Sequence, residues 1–340
     1  MKALLAAAFV TATLILSSAV EARVQPMQVG AAVRAIDDLI EWAVKMRKAL
    51  PEPHMADDAI DALRGVAKTG DDVAPEVVEL FKRDFHKVRP GAIDPQFIRM
   101  MSRAPAVRDA VWDIALKVPA KGTGQVLASL VDDLGPRAPS VLSRISTQLS
   151  SEEAAVLIRG LTPRLLSQDR VQELKKVFQR VDMASIDQGE LFEAVARAQI
   201  SGGALKAKNG LKEGARVVKG QHNSRHGIDG IGAGPEGRPV IFEFSMYERK
   251  VLDADANGLT QLSPEWVADR WNKMIAAAPA GRIEELNRLG IDEQWLKPTS
   301  AKEVLTWSRK LVVADESALT DANRLAAKLG PDDLLVLGKN

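Results

Sequence analysis

The side chains able to do chemistry are concentrated between Gln221 and Trp266, in a stretch that holds His222, His226, Asp229, Glu243, Ser245, Lys250 and Gln261. Carboxylates, imidazoles and an ammonium in one segment suit general acid–base work and the binding of a hard cation. Gly232-Ala233-Gly234-Pro235-Glu236-Gly237-Arg238 is turn material. It predicts a hairpin joining Gly227–Ile231 to Val240–Phe244 as antiparallel neighbours. A turn centred near Glu236 sets Asp229 almost opposite Glu243.

Strand alternation gives that pairing a cost. Val240, Phe242, Phe244 and Met246 share one face, wholly apolar and therefore buried, while Ile241, Glu243, Ser245 and Tyr247 share the other. A carboxylate beside a buried hydrophobic strand is unfavourable unless it is paired or coordinates a cation. Two facing carboxylates also repel unless a proton or a metal intervenes. Mg²⁺, or another divalent ion such as Mn²⁺, would bind to oxygen ligands and retained waters, with Asp229 and Glu243 as its protein ligands. Such an ion polarises a phosphate and lowers the pKa of an attacking water. The same pattern also suits a sheet whose polar face simply meets water. Residues 201–250 carry nine basic against five acidic side chains, Lys206, Lys208, Lys212, Arg216, Lys219, Arg225, Arg238, Arg249 and Lys250 being the basic ones. A basic rim around an acidic centre suits phosphodiester binding, although basic rims are also common solvated surfaces.

Gly227-Ile228-Asp229-Gly230-Ile231, then Val240-Ile241-Phe242-Glu243-Phe244-Ser245, then Gln261-Leu262-Ser263-Pro264-Glu265-Trp266 resembles the restriction-endonuclease-like nucleases of the PD-(D/E)xK superfamily. These occur as modules of bacterial polymorphic and contact-delivered toxins. The resemblance covers roughly residues 205 to 280. It implies metal ligation by Asp229 and Glu243, an accessory place for Gln261 near metal or phosphate, and a core role for Trp266. It implies a nucleic-acid substrate, and an immunity or inhibitor protein among the partners.

The chain departs from that family at Ser245, which stands where the family carries a lysine. A hydroxyl brings no positive charge to a phosphoryl transition state, and one lost preorganised contact costs about 2.7–4 kcal/mol. Lys250 could reach back if the strand bends after Tyr247, and His226 could serve as a general base near neutral pH. His222 and His226 are four apart, a helical spacing for Zn²⁺ with a third ligand. Gly220 and Gly227 on either side disfavour a helix there. Asn223, Ser224 and Arg225 are natural phosphate donors in a loop, or equally an exposed polar loop.

The elements around this segment fall into two kinds. From about residue 30 to 200 the periodicity predicts helix after helix, beginning with the face Ile36, Ile40, Ala43, Met46 and Leu50 and continuing at 56–68, 73–84, 105–117, 123–133, 151–160 and 186–199. Ser150 and Glu153 form a capping box. Trp42 and Trp112 read as core residues, and His54 and His86 as surface or packing histidines. No polar cluster in these helices reads as poised for chemistry. After Ser201-Gly202-Gly203, strands are predicted at Ala215–Lys219, Gly227–Ile231, Pro239–Tyr247, Leu311–Val313 and Leu334–Leu337. Helices are predicted from Ser263 as N-cap to about Ala278, and over Thr320–Leu329. The fold class is an all-α N-terminal domain, 23–200, followed by an α/β domain with a mixed sheet, 201–340, restriction-endonuclease-like by resemblance.

The 340 residues include no Cys, four His, and 46 Lys and Arg against 45 Asp and Glu. This excludes disulfide scaffolds, cysteine-ligated metal sites, thiol enzymes and bulk polycations. Lys2 followed by apolar Ala3–Val20 and small residues at Val20 and Ala22 predicts a signal peptide cleaved after Ala22, with a retained anchor as the alternative. No comparable apolar block follows, so no integral membrane segment is expected after cleavage. The combined expectation is an exported, periplasmic or secreted, metal-dependent nuclease. The alternatives are a catalytically degenerate nuclease-fold module that binds nucleic acid or protein, and a structural or interaction protein of the envelope.

Overall fold

Apolar residues recurring at three and four positions carry the N-terminal part of the chain into helices. The computed structural model describes residues 27–48, 57–69, 73–87, 92–164, 166–203, 208–220, 227–245, 257–314 and 328–338. They divide into two compact units, one running to Gln125 and the other from Val126 onward. An N-terminal, mostly helical region is thus followed by a region built on a mixed sheet with helices. Among the described residues no helix is long and apolar enough to cross a membrane.

The first unit contains α1 (Met27–Arg47), α2 (Asp57–Lys68), α3 (Pro75–Asp84), α4 (Pro95–Arg103) and α5 (Arg108–Lys117). Helix α4, which the periodicity did not reveal, starts where Asp94 accepts the Phe97 N–H at 2.9 Å and Pro95 occupies the first helical position. Trp112 is fully buried against Phe81, with ring centroids 5.1 Å apart, and its indole N–H donates to Asp84 at 3.0 Å. Burial alone would raise the Asp84 carboxyl, but hydrogen bonds from Lys87, Arg83 and Trp112 hold it well below the usual range. This is a structural carboxylate whose demand for partners is met. His86 is exposed and Trp42 half-buried.

Helix α6 (Thr123–Leu134) leads into the second unit, followed by α7 (Ala138–Gln148), α8 (Ser151–Leu161), α9 (Gln168–Arg180) and α10 (Ser185–Ser201). The capping box is present: Ser150 accepts the Glu153 N–H, and Glu153 accepts the Ser150 N–H. Helices α7 and α9 were not anticipated. Each follows its predecessor after a few residues, the first across Gly135-Pro136-Arg137 and the second across a short segment holding Pro163.

The sheet has five strands in the order β1-β2-β3-β4-β5: β1 (Val217–Lys219), β2 (Gly230–Ala233), β3 (Pro239–Ser245), β4 (Ser308–Val313) and β5 (Leu334–Val336). The first three form an antiparallel meander, and β4 and β5 run parallel to β3. Helix α11 (Pro264–Ala277) makes the crossover from β3 to β4, its N-terminus capped by Ser263, which accepts the Trp266 N–H at 3.2 Å. Helices α12 (Ala280–Arg288) and α13 (Ala301–Val304) complete that connection. Trp266, Val267 and Trp271 pack on Ile231, Ile241, Leu311 and Val313. On the opposite face Val240, Phe242 and Val312 are buried, and α10 packs against β1 and β3. Both faces are therefore covered, and the face bearing Ile241 and Glu243 is not the wet one.

The second predicted strand moves along the chain. It begins at Gly230 rather than Gly227, and the residues expected to start the turn, Gly232 and Ala233, still pair with Val240 and Pro239. The reversal is tight because Glu236 and Gly237 both adopt positive φ, 57° and 65°. At Gly237 a Cβ would lie 2.4 Å from the Asp292 carboxyl, so this turn takes glycine for space as well as conformation. Most of the Thr320–Leu329 helix, and Met246 and Tyr247 at the end of the third predicted strand, lie outside the described residues.

Candidate carboxylate site

The register of the hairpin fixes the site. Gly230 pairs with Phe242 and Ile231 with Ile241, so the next step outward sets Asp229 opposite Glu243. Asp229 stands one residue ahead of β2. There its carboxyl takes over the role of a ladder partner, Oδ2 accepting the Phe244 N–H at 2.9 Å. The Asp229 and Glu243 carboxyls lie within reach of each other, so a shared proton or a cation is needed to relieve their repulsion. Glu243 is only 4% exposed, and its Oε1 is buried with no hydrogen-bond partner among the described residues. Unlike Asp84, this is a buried carboxyl whose demand for partners is unmet.

Burial pushes Asp229 up to about 6, against the hydrogen bond from Phe244. Glu243 is driven well above the ordinary range, first by burial and then by the Asp229 charge. A third carboxyl belongs to the same system. Glu193, on α10, is raised well above its ordinary value by burial and by Asp229, opposed by Arg197. Three mutually repelling acids in a low-dielectric site make an arrangement that a proton or a cation must hold together.

Two cations border them, Arg197 buried and Lys219 half-buried. Arg197, one turn after Glu193, donates through Nη1 to the Asp229 carbonyl at 3.2 Å and lies 3.4 Å from Glu193 Oε2 and 3.5 Å from Asp133 Oδ2. The Lys219 ammonium pairs with Glu190 and donates to the Asp133 carbonyl at 3.0 Å. Lys219 was expected on a basic rim; it is spent internally on Glu190 instead. The expectation that the helices hold no chemically poised cluster is likewise corrected. Glu190, Glu193 and Arg197 stand at i, i+3 and i+7, one face of α10, and α10 lies against the strands. An acid–acid–base stripe along one helix is the signal that could have revealed them, but such stripes usually face water.

The end of β1 is held against the same place. Gly220 N–H donates to the Asp229 carbonyl at 3.3 Å, and Arg282 donates to the carbonyls of Lys219 and Gly220. A Cβ on Gly220 would come 2.1 Å from the Ile228 carbonyl oxygen, so glycine is required by this close approach. Gln261 is partly buried in the turn ahead of α11. Its neighbour Leu262 has φ 60° and is fully buried, its carbonyl accepting from the buried Arg309 at 2.6 Å. Trp266 is fully buried, as a core residue. Ser245 ends β3, paired with Val313. His222, His226 and Lys250, and the Asn223-Ser224-Arg225 run, lie outside the described residues, as do residues 1–22.

The structure therefore brings together Asp229 and Glu243 from the sequence expectation and adds Glu193 and Arg197. Among the described residues, no three His, Cys, Asp or Glu converge closely enough to hold a metal by themselves. Two carboxylates nonetheless suffice for Mg²⁺, which keeps several waters and takes substrate oxygens. The chain matches no family model, no curated protein and no solved structure.

Proposed function

We propose that the protein is an exported metal-dependent nuclease that hydrolyses a phosphodiester of DNA or RNA. The observation that carries the reading is the facing of half-buried Asp229, just ahead of β2, and buried Glu243 on β3, with the Glu243 Oε1 lacking a hydrogen-bond partner among the described residues. Further support comes from the order of elements around it. A helix, a three-stranded antiparallel meander, a helix and a parallel strand surround the motifs that resemble PD-(D/E)xK nucleases. In this reading Asp229 and Glu243 hold Mg²⁺ or Mn²⁺, which when bound supplies Lewis-acid stabilisation of phosphate charge and acidifies a coordinated water.

The protein's own groups do the rest. Asp229, fixed by Phe244 and Arg197, and Glu243, fixed in β3, would hold the cation that offsets the negative charge of the substrate phosphate. Water oxygen bonds to phosphorus, the ester P–O bond breaks, and a proton reaches the departing oxygen. His226 and Lys250 are the proposed sources of proton transfer and positive charge, and Gln261 of an accessory phosphate contact. The apolar leader Ala3–Val20 supports export, and the likeness to toxin modules supports an effector role with an immunity protein as partner.

The test is incubation of the chain lacking residues 1–22 with DNA and RNA, with and without Mg²⁺ or Mn²⁺. Cleavage that needs the divalent ion, and disappears in Asp229→Ala and Glu243→Ala, is expected. Absence of cleavage of either nucleic acid sinks the enzymatic reading. Ser245 favours one second reading, a degenerate nuclease-fold module that binds nucleic acid without cutting it. Retention of nucleic acid without turnover distinguishes it.

A further inference from the structure

We propose that Arg197 is the positioning residue of the carboxylate site: its guanidinium fixes the backbone of Asp229, and through it the carboxylate, in the arrangement that receives a cation. The inference rests on the reading of Asp229 and Glu243 as cation ligands.

Asp229 sits just outside β2, where ladder pairing no longer secures it. Three elements hold it instead. Phe244 of β3 grips one carboxyl oxygen, Gly220 at the end of β1 donates to its carbonyl, and Arg197 of α10 donates to that same carbonyl. Of these only Arg197 comes from outside the meander. Among the described residues it alone hydrogen-bonds Asp229 from the helix.

Simple charge compensation of Glu193 accounts poorly for this geometry. Arginine–carboxylate pairs are frequently forked, with two parallel N–H···O bonds. Arg197 instead meets Glu193 through a single nitrogen at 3.4 Å, and that nitrogen is the one donating to the Asp229 carbonyl at 3.2 Å. Its Nη2 faces the Asp133 carboxylate at 3.5 Å, and neither Nη2 nor Nε makes a hydrogen bond among the described residues. The guanidinium thus lies between the Glu193 and Asp133 carboxylates without a hydrogen-bonded fork to either, and its shortest contact is the Asp229 carbonyl. Holding a ligand to within about 0.5 Å is what such a supporting contact contributes to a cation site.

The experiment separates positioning from charge balance. Arg197→Met alone would leave Glu193 buried and uncompensated, so the comparison is made in a Glu193→Gln background. Mn²⁺ alone is titrated by calorimetry into E193Q and into R197M/E193Q, both as the intact chain. Positioning predicts that the double variant binds Mn²⁺ about 10–100-fold more weakly than E193Q, the loss typical of a missing outer partner of a metal ligand. It also predicts faster amide exchange at Gly220 in the metal-free double variant, because the carbonyl that Gly220 bonds has lost its second donor. Equal Mn²⁺ affinity in the two variants overturns the proposal while leaving the nuclease reading intact. A wild-type chain that binds no Mn²⁺ removes both. If R197M/E193Q does not fold, R197K/E193Q is judged by the same criterion, since lysine cannot place the same nitrogen on the carbonyl and keep its other contacts.

Discussion

Asp229 and Glu243 place opposing demands on the molecule, and their titration makes this measurable. An acid whose folded pKa is raised binds its proton more tightly in the native state than in the unfolded one. Asp229 therefore contributes stability at low pH that is lost as pH climbs from its ordinary value of 3.8 through about 6. Glu243 and Glu193, raised further, extend the loss upward. Metal-free protein in a chelator is expected to melt at lower temperature at pH 8 than at pH 5, and Mn²⁺ should raise the midpoint more at pH 8. Asp229→Asn keeps the acceptor for Phe244 and removes the charge. In chelator at pH 8 it should stabilise the fold by about 2 kcal/mol, and it should abolish cleavage. Thermal denaturation of both proteins across pH checks this, and a variant less stable than wild type at pH 8 contradicts it.

Among the elements, the hairpin was legible because three signals agreed: a glycine- and proline-rich turn, period-two alternation in Val240–Ser245, and a turn centre at Glu236. Register follows from those signals, so the pairing of Asp229 with Glu243 could be read without coordinates. The start of β2 was misjudged because Asp229 replaces backbone pairing with its own side chain, which no alternation rule anticipates. Gly220 was noted only as a helix breaker. Its actual role is to let the end of β1 approach Ile228. Gly220→Ala forces a Cβ into a backbone carbonyl, and such overpacking costs about 1–3 kcal/mol. The displaced backbone is that of the residue before Asp229, so Mn²⁺ affinity should fall along with the melting temperature. Calorimetry with both readouts tests this; a loss of stability with unchanged Mn²⁺ binding would mean that β1 does not support the site.

At the level of the whole molecule, the part of the site supplied by α10 was illegible for a simple reason. Glu193 and Arg197 are separated from Asp229 by more than thirty residues, and the long-range contact between them leaves no local pattern. Helix α10 belongs to the same unit as the sheet and covers β1 and β3. A fragment comprising 201–340 would expose that face and lose Glu193 and Arg197 together. It is expected to give no cooperative thermal transition and no Mn²⁺ binding, whereas the intact chain gives both. Circular dichroism of the fragment decides the matter: a native-like cooperative melt would show that the helix is dispensable.

The indole rings provide a way to follow these experiments without labels. Trp271 and Trp295 both meet Trp307 edge-on, at centroid distances of 5.0 and 6.1 Å, whereas Trp112 sits apart in the first unit beside Phe81. Rings so close together give geometry-dependent near-ultraviolet dichroism. Light absorbed by the intact chain therefore carries a record of how α11 packs on the segments that lead into β4.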